Sequence, residues 1–179
     1  MDFQSIKTLG GLGGLFISLS ILPYIGWMLM LIGYVLMIIT LKKISDFYPD
    51  RKILKNFVIG LIIIFAGGFI GGFVGLMVTL PLMKQGEAQV AGIGMMVTLF
   101  FMYIFIVTGS YFIKNAFISL FEITGQKLFR LGGLFIFWGA VAGIILIGFI
   151  GTLIGWILIT TGFFTLNSTN QETPQIEEG

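Results

Sequence analysis

The fold is decided by residues 8–41, TLGGLGGLFISLSILPYIGWMLMLIGYVLMIITL, which contain no charged side chain. Three further stretches also lack charge, at 56–83, 88–113 and 131–171, and only the last of them turns polar, beyond Phe164. An apolar run of ~18 or more residues is long enough to cross a ~30 Å hydrocarbon layer as a helix. Every run exceeds this length, so the sequence predicts an integral membrane protein.

The overall composition agrees with this interpretation. Mean hydropathy is +1.06, and only 10% of the residues are charged, against roughly a quarter in soluble domains. The longest charged segment between apolar runs, 42–55, is too short to form a soluble domain. We therefore expect one transmembrane domain over 1–166 and a disordered polar tail at 167–179, which has too few apolar residues to order itself.

The residue types that are missing exclude several kinds of chemistry. Cys and His are absent, which excludes disulfides, thiol chemistry, imidazole catalysis and the usual zinc sites. The charge-free runs also lack the intramembrane charges that proton-coupled transporters and voltage sensors use. Asp46 and Asp50 form the only close carboxylate pair outside the polar tail, and their cationic neighbours favour a solvated loop network. The sequence predicts no enzyme and no catalytic, cofactor-binding or metal-binding residue.

The first charge-free run is too long to cross the membrane once. As a single helix it would be ~51 Å long and overshoot the hydrocarbon layer by ~20 Å. Pro23 lacks an amide hydrogen and restricts the residue before it, so it should divide the run. The predicted helices cover roughly 6–22 and 24–41, with Tyr24 and Trp27 as interfacial anchors at the turn.

The last run has the same length problem and should break at Gly143 or near it. Simpler spans are predicted at roughly 57–80 and 91–113, between the two long runs. The predicted fold is therefore an all-α transmembrane bundle of six spans, or of four longer ones.

Two segments of the first run return in the last run. LGGLFI occurs at 12–17 and again at 131–136, an offset of 119 residues. LIGYVL at 31–36 returns as LIGWIL at 153–158, with an offset of 122. Chance similarity is common in a chain built from Leu, Ile, Gly and Phe, so the sequence leaves open whether the two helical hairpins are a true repeat.

Lysine and arginine are distributed unevenly over the loops of a six-span topology. Lys84 lies alone on one side, and the other side holds Lys7, Lys42, Lys43, Arg51, Lys52, Lys55, Lys114, Lys127 and Arg130. In a four-span topology only Lys7 among these changes side. Because cytoplasmic loops carry the excess of Lys and Arg, the basic loops 42–56 and 114–130 are predicted to be cytoplasmic in the cell membrane.

Glycine supplies the clearest motif. Glycines four residues apart occur in two registers in the second run and once in the last run, at Gly67, Gly71 and Gly75, at Gly68 and Gly72, and at Gly139, Gly143, Gly151 and Gly155. Such spacing makes a flat groove that another helix backbone can approach closely. Packing within the bundle is the plainer interpretation, and an interface between copies or a flexible gating element is the alternative.

The remaining polar features also have a plain interpretation. The loop at 42–56 sets the topology or docks on an anionic lipid surface or a protein. The segment 114–130 is a connecting helix that extends the preceding span or lies in the interface, interrupted at Thr124 and Gly125. Thr108 and Ser110 either pack on their own helix or line a pore.

Three segments together resemble a known family. LGGLGGLFISLSILPYIG at 9–26, KKISDFYPDRKILKN at 42–56 and ITGQKLFRLGGLFIFWGA at 123–140 are similar to the prokaryotic membrane proteins grouped as domain of unknown function 996. The resemblance covers roughly 5–166, and the segment at 42–56 is its most specific part. It implies a multi-pass membrane protein of bacteria or archaea, with no established activity and no site residues.

Taken together, these patterns favour a non-enzymatic membrane scaffold or accessory subunit. The alternative is a pore or facilitator for a small uncharged solute, lined by hydroxyls and backbone carbonyls. The expected partners are membrane lipids and either further copies of the chain or another membrane protein. Nucleic acid is not expected, because the net charge of +2 comes from scattered loop cations.

A cysteine placed at Lys52 tests the orientation. The chain has no cysteine of its own, so Lys52→Cys adds a single thiol to the loop 42–56. If that loop is cytoplasmic, a membrane-impermeant maleimide should label the thiol only after the cells are lysed. Labelling of intact cells would contradict the predicted orientation.

Overall fold

The computed structural model describes residues 3–48, 52–84, 88–144 and 147–166. Over these ranges the chain is helical and contains no strand, which confirms the all-α prediction. The helices are α1 (Phe3–Ser18), α2 (Gly26–Phe47), α3 (Lys52–Lys84), α4 (Ala88–Thr124), α5 (Lys127–Val141) and α6 (Ile147–Phe164). The predicted tail at 167–179 and the loop residues Asp50 and Arg51 lie outside the described residues.

Four of the helices, α2, α3, α4 and α6, are long and apolar enough to cross a membrane. In contrast, α1 and α5 have 16 and 15 residues. Their lengths of ~24 and ~22 Å fall short of the ~30 Å hydrocarbon layer. The number of helices thus agrees with the six-span topology, and the number that can cross unaided agrees with the four-span one.

Both predicted breaks are present. A 3₁₀ turn at Leu19–Ile21 ends the first helix, and the residue before Pro23, Leu22, is extended with ψ 126°. Tyr24 has a positive φ of 69° and is 93% exposed, as expected for a residue at an interfacial turn. The second break is a 3₁₀ turn at Ala142–Ile144, next to α6.

The predicted helix ends were less accurate than the breaks. The first helix ends at Ser18 instead of residue 22, because the 3₁₀ turn takes up the remaining residues. In contrast, α2 continues beyond residue 41 to Phe47. Helix α4 runs on to Thr124, which confirms the alternative in which 114–130 extends the preceding span and is interrupted at Thr124 and Gly125. Lysine is a good helix former, so charge ends an apolar run without ending the helix. Helix α4 stops where Gly125 adopts the left-handed conformation, with φ 68°.

The helices form three hairpins that close into a ring. Within each hairpin α1 packs on α2, α3 on α4 and α5 on α6. Neighbouring hairpins meet through α4 and α5 and through α6 and α1, whereas α2 and α3 touch less extensively.

The first and last hairpins cross in the same way. A Cβ added to Gly33 in α2 would lie 2.7 Å from the carbonyl oxygen of Gly13 and 2.7 Å from Ile17 Cγ1. A Cβ added to Gly155 in α6 would lie 2.8 Å from the carbonyl oxygen of Gly132 and 2.7 Å from Ile136 Cγ1. The corresponding residues are separated by the sequence offsets of 119 and 122, so the repeat seen in sequence is also a repeat of contacts.

The middle hairpin crosses in this way too, which the sequence analysis missed. A Cβ on Gly60 in α3 would lie 2.7 Å from the carbonyl oxygen of Gly109 and 2.8 Å from Ile113 Cγ1. A Cβ on Gly109 would in turn meet the carbonyl oxygen of Gly60 and the side chain of Ile64. The chain is therefore three copies of one hairpin, each crossing where a glycine on either helix faces the other.

The core lies on the side of these crossings where the basic residues are found. In α2, α4 and the last helix with its following residues, the positions 4, 7, 8 and 11 residues beyond the crossing glycine are all buried. They are Met37, Ile113 and Ile159; Thr40, Ala116 and Gly162; Leu41, Phe117 and Phe163; and Ile44, Leu120 and Leu166. This end of the molecule, with its loops, is called the basic end below.

A second glycine controls how neighbouring hairpins meet. Gly14 faces Thr160 of α6, and a Cβ on Gly133 would lie 3.2 Å from the carbonyl oxygen of Lys114 in α4. The equivalent residue of α3 is Leu61, whose side chain is buried in the core. A leucine holds the helix axes farther apart than a glycine does, which accounts for the looser contact of α2 with α3.

An added methyl group at a crossing glycine tests this arrangement. In Gly33→Ala the methyl would meet two backbone groups, the Gly13 carbonyl oxygen at 2.7 Å and the Ile17 amide nitrogen at 3.0 Å. Because backbone yields less easily than a flexible side chain, we expect a loss of about 1–3 kcal/mol in the free energy of unfolding. Detergent-induced unfolding followed by tryptophan fluorescence measures it.

Gly68→Ala is the matched control, since nothing lies within 4 Å of its added Cβ. This variant should be unchanged or slightly more stable, because alanine is the better helix former by about 1 kcal/mol. Equal stability of the two variants would show that the crossings are not tightly packed.

Candidate functional site

The structure separates the two glycine registers of α3. Gly67, Gly71 and Gly75 face α4, where an added Cβ would collide with Phe105, Met102 and Thr98 respectively. This register packs the hairpin itself. For Gly67, Gly71 and Gly75 the structure therefore shows packing within the bundle, which was the plainer of the two predicted roles.

The second register, in contrast, faces outward. No atom lies within 4 Å of a Cβ added to Gly68 or Gly72. Phe69 and Phe73 lie beside these glycines with parallel rings 6.5 Å apart, and they are 78% and 55% exposed. With Leu76, also exposed, these residues form one face of α3, which we call the free α3 face.

The α3–α4 hairpin extends beyond the rest of the molecule, and the free α3 face begins level with the end of α5, where Gly67 packs on Phe105. The end of α5 meets α4 at Tyr103, whose hydroxyl donates a hydrogen bond of 2.6 Å to the carbonyl oxygen of Val141. Gly143, in the turn after α5, lines a cavity with Leu99 and Phe100, so the 11 residues of α4 that precede Leu99 run ~16 Å beyond the short hairpins. The outer halves of α3 and α4 thus pair with each other beyond the short hairpins.

Aromatic side chains fill the space enclosed by the six described helices. Tyr34, Ser110 and Trp156 each follow the crossing glycine of their helix directly. The rings of Tyr34 and Trp156 lie 6.0 Å apart edge to face, and Trp156 packs in the same way on Phe117 at 5.9 Å. Ser110 is 4% exposed, whereas Thr108 lies exposed on the outer surface. The two predicted pore residues do not converge on one path.

The polar groups of the helices are satisfied locally. The hydroxyls of most helical Ser and Thr donate to the carbonyl oxygen four residues earlier, as in Ser18, Thr40, Thr98, Thr152, Thr160 and Thr161. Among the described residues no three metal-ligating side chains come together. Asp46 is exposed, and its predicted neighbour Asp50 lies outside the described residues.

Two cations rest on aromatic rings where α4 meets α5. Lys114 Nζ lies 4.4 Å from the ring centroid of Tyr111 and 4.8 Å from that of Phe137. Arg130 Cζ lies 5.9 Å from the ring centroid of Phe121. We call this set of five residues the α4–α5 seam.

The sequence analysis treated 114–130 only as a connecting segment and missed the seam. A signal was present, because each helix has an aromatic residue seven positions after a cation, Phe121 after Lys114 and Phe137 after Arg130. Seven residues are two helical turns, so each pair lies on one face of its helix. Only the antiparallel packing of the helices reveals that each cation meets the other helix's ring.

These features define a helical membrane protein whose polar chemistry is concentrated at its basic end. A family model described as a protein of unknown function (DUF996) matches residues 29–157. An uncharacterised protein of Methanocaldococcus jannaschii, MJ1644, is 31% identical over 175 residues, which cover 93% of this chain and 94% of that protein. The chain belongs to the DUF996 family, as its sequence resemblance implied. No solved structure matches it.

The hydrogen bond of Tyr103 predicts how the end of α5 is held. Tyr103→Phe removes the donor to the Val141 carbonyl and keeps the ring, at a cost of about 0.6 kcal/mol typical of such bonds between membrane helices. Hydrogen exchange measured by mass spectrometry should become faster at the end of α5.

The turn between α1 and α2 should exchange as in the unmodified protein. Tyr24→Phe serves as the control, because Tyr24 is 93% exposed. Faster exchange at both turns in Tyr103→Phe would indicate general destabilisation instead of a local tether.

Proposed function

We propose that this protein is a non-enzymatic membrane scaffold or accessory subunit, embedded as a multi-pass protein in the cell membrane. The observation that carries the proposal is the free α3 face on a hairpin that extends beyond its neighbours. The packed region around the three crossings holds the half of this hairpin that lies nearer the basic end. Its outer half therefore presents a fixed surface to another membrane helix.

The chemistry of the free α3 face suits a helical partner. Gly68 and Gly72 give a flat strip at which a second helix backbone can approach, and Phe69 and Phe73 border it with exposed rings. In lipid, the association of helices depends on such van der Waals fit, because the hydrophobic effect does not drive helices together there. Of the two glycine registers in α3, the one at Gly68 and Gly72 is left uncovered by the residues that the structure describes.

The charge distribution supports an orientation with the basic end in the cytoplasm. The six described helices alternate in direction, so Lys43, Lys55, Lys114, Lys127 and Arg130 gather at one end. Lysine and arginine on short loops favour the cytoplasmic side.

The pore alternative receives less support from the centre of the ring. Tyr34 and Trp156 occupy it with their rings in contact, and Thr108 lies on the outside. A solute path along this axis would require both rings to move. Flux of a small uncharged solute into liposomes that hold the purified protein would favour this alternative.

The scaffold proposal predicts association through the free α3 face. Gly72→Leu fills the open strip. No described atom lies within 4 Å of a Cβ added at Gly72, so the fold should persist. Native mass spectrometry of the protein purified in nanodiscs should show a second copy or a membrane protein partner in the unmodified chain. The variant should lose most of it.

Gly92→Leu is the matched control, because Gly92 of α4 also has nothing within 4 Å of an added Cβ and is exposed. This variant should keep its partner. Two results would count against the scaffold role. One is that both the unmodified chain and Gly92→Leu are monomers that retain no other protein. The other is that Gly72→Leu and Gly92→Leu lose the partner to the same extent.

A further inference from the structure

Lys114 occupies a position at which the other two hairpins carry no charge. Counting five residues from the crossing glycine gives Ile38 in α2, Lys114 in α4 and Thr160 in α6. Ile38 and Lys114 are partly buried and Thr160 is buried, and each follows directly on a buried residue of the core layer. The cation is therefore an addition to the common hairpin and is not required by it.

The side chain of Lys114 also points away from the loop that joins α4 to α5. Tyr111 precedes it by almost one turn, and Phe137 lies in α5 two turns beyond Arg130. The ammonium rests on both rings, so it lies deeper than the loop that joins α4 to α5. A lysine near a membrane surface usually extends its charge outward instead.

The two cations of the seam form a ladder with two rungs. The helices are antiparallel, so Lys114 of α4 faces Phe137 of α5, and Arg130 of α5 faces Phe121 of α4. Seven residues separate the rungs along each helix, which corresponds to ~10 Å. Both side chains are flexible enough for their charged ends to meet around a ligand placed between the rungs.

Neither cation is neutralised by the part of the chain that the structure describes. The contacts of Lys114 and Arg130 there are the aromatic ones, with no ion pair. Aromatic rings attract cations but leave their positive charge uncompensated. A cation held at the edge of an apolar layer is stabilised strongly by an anion that reaches the same depth.

We propose that the α4–α5 seam binds the phosphate of an anionic lipid in the leaflet at the basic end. The phosphate would accept hydrogen bonds from the Lys114 ammonium and the Arg130 guanidinium. Its acyl chains would lie along the exposed apolar side chains farther along α5, such as Phe135 and Trp138, which are 42% and 62% exposed. The aromatic rings hold the two cations at the seam while the site is empty.

The position of the seam favours a lipid over a soluble phosphate compound. Lys114 lies ~10 Å deeper than Arg130 along the helices, beside apolar residues that face outward. A lipid headgroup reaches this depth with its chains already in the hydrocarbon, whereas a free anion would have to leave water. This inference rests on the membrane embedding of the proposed function, but it does not depend on the free α3 face.

The test compares lipid binding by charge-matched variants. Native mass spectrometry of the protein, titrated with phosphatidylglycerol or phosphatidylcholine, gives the affinity for the first bound lipid. Each cation near an anionic lipid contributes about fivefold. Lys114→Gln/Arg130→Gln should therefore bind phosphatidylglycerol about twenty-fivefold more weakly, and its weaker binding of phosphatidylcholine should change little.

Lys42→Gln/Lys127→Gln loses the same charge at the basic end. These two side chains lie outside the seam and would not contact the bound phosphate, so solvent screening should keep the affinity within about twofold of the unmodified protein. Lys114→Arg keeps the charge and should keep the affinity. If the double glutamine variant does not fold, Lys114→Gln alone should bind about fivefold more weakly.

Three results would overturn the assignment. Equal weakening in both double variants would mean that lipid binding depends on diffuse charge, and unchanged binding in Lys114→Gln/Arg130→Gln would remove the site altogether. Displacement of the lipid by inorganic phosphate would assign the seam to a soluble anion. A protein partner retained through the free α3 face in any of these cases would leave the scaffold proposal intact.

Discussion

The close approach of two helix backbones at paired glycines is the constraint on which the rest of the structure depends. In each hairpin a glycine on one helix faces the carbonyl oxygen of a glycine on the other, within 3.1 Å of where a Cβ would lie. In lipid the hydrophobic effect does not drive helices together, so close van der Waals packing has to supply the attraction. Such contact fixes the register, because a shift by one residue would place a side chain where only hydrogen fits.

Register then determines which residues form the core. Once the crossing glycine is set, the positions 4, 7, 8 and 11 residues beyond it turn inward in α2, α4 and α6 alike. Their identities differ widely, and the position 8 residues beyond the glycine is Leu41, Phe117 or Phe163. The geometry of the crossing is thus repeated more faithfully than the side chains that fill the space around it.

Much of the fold could be predicted from the sequence, because length and charge act locally. Pro23 and the 34-residue length of the first run were enough to place the turn between α1 and α2. The repeat in α3 and α4 was not found, since at the crossing it shares only Gly60, Ile64 and Gly109 with both other hairpins, and Ile113 with the last one. Glycine contacts join residues that are distant in sequence. The spacing of the glycines in α3 alone therefore does not show which of their two registers is covered by a neighbouring helix. The candidate site followed the same division. The absence of Cys and His could be read from composition, whereas the α4–α5 seam depends on contacts between helices.

The seam itself is a consequence of the glycine geometry. A Cβ on Gly133 would lie 3.2 Å from the carbonyl oxygen of Lys114, so the absent side chain allows α5 to pack directly against α4 at this residue. That approach brings Phe137 to within 4.8 Å of the Lys114 ammonium and, two turns away, Phe121 to within 5.9 Å of Arg130. The equivalent glycine of the first hairpin, Gly14, brings α1 equally close to Thr160, where no charge is present. A common packing device therefore builds two similar joints, α6 with α1 and α4 with α5, and one lysine makes the second of them chemically distinct.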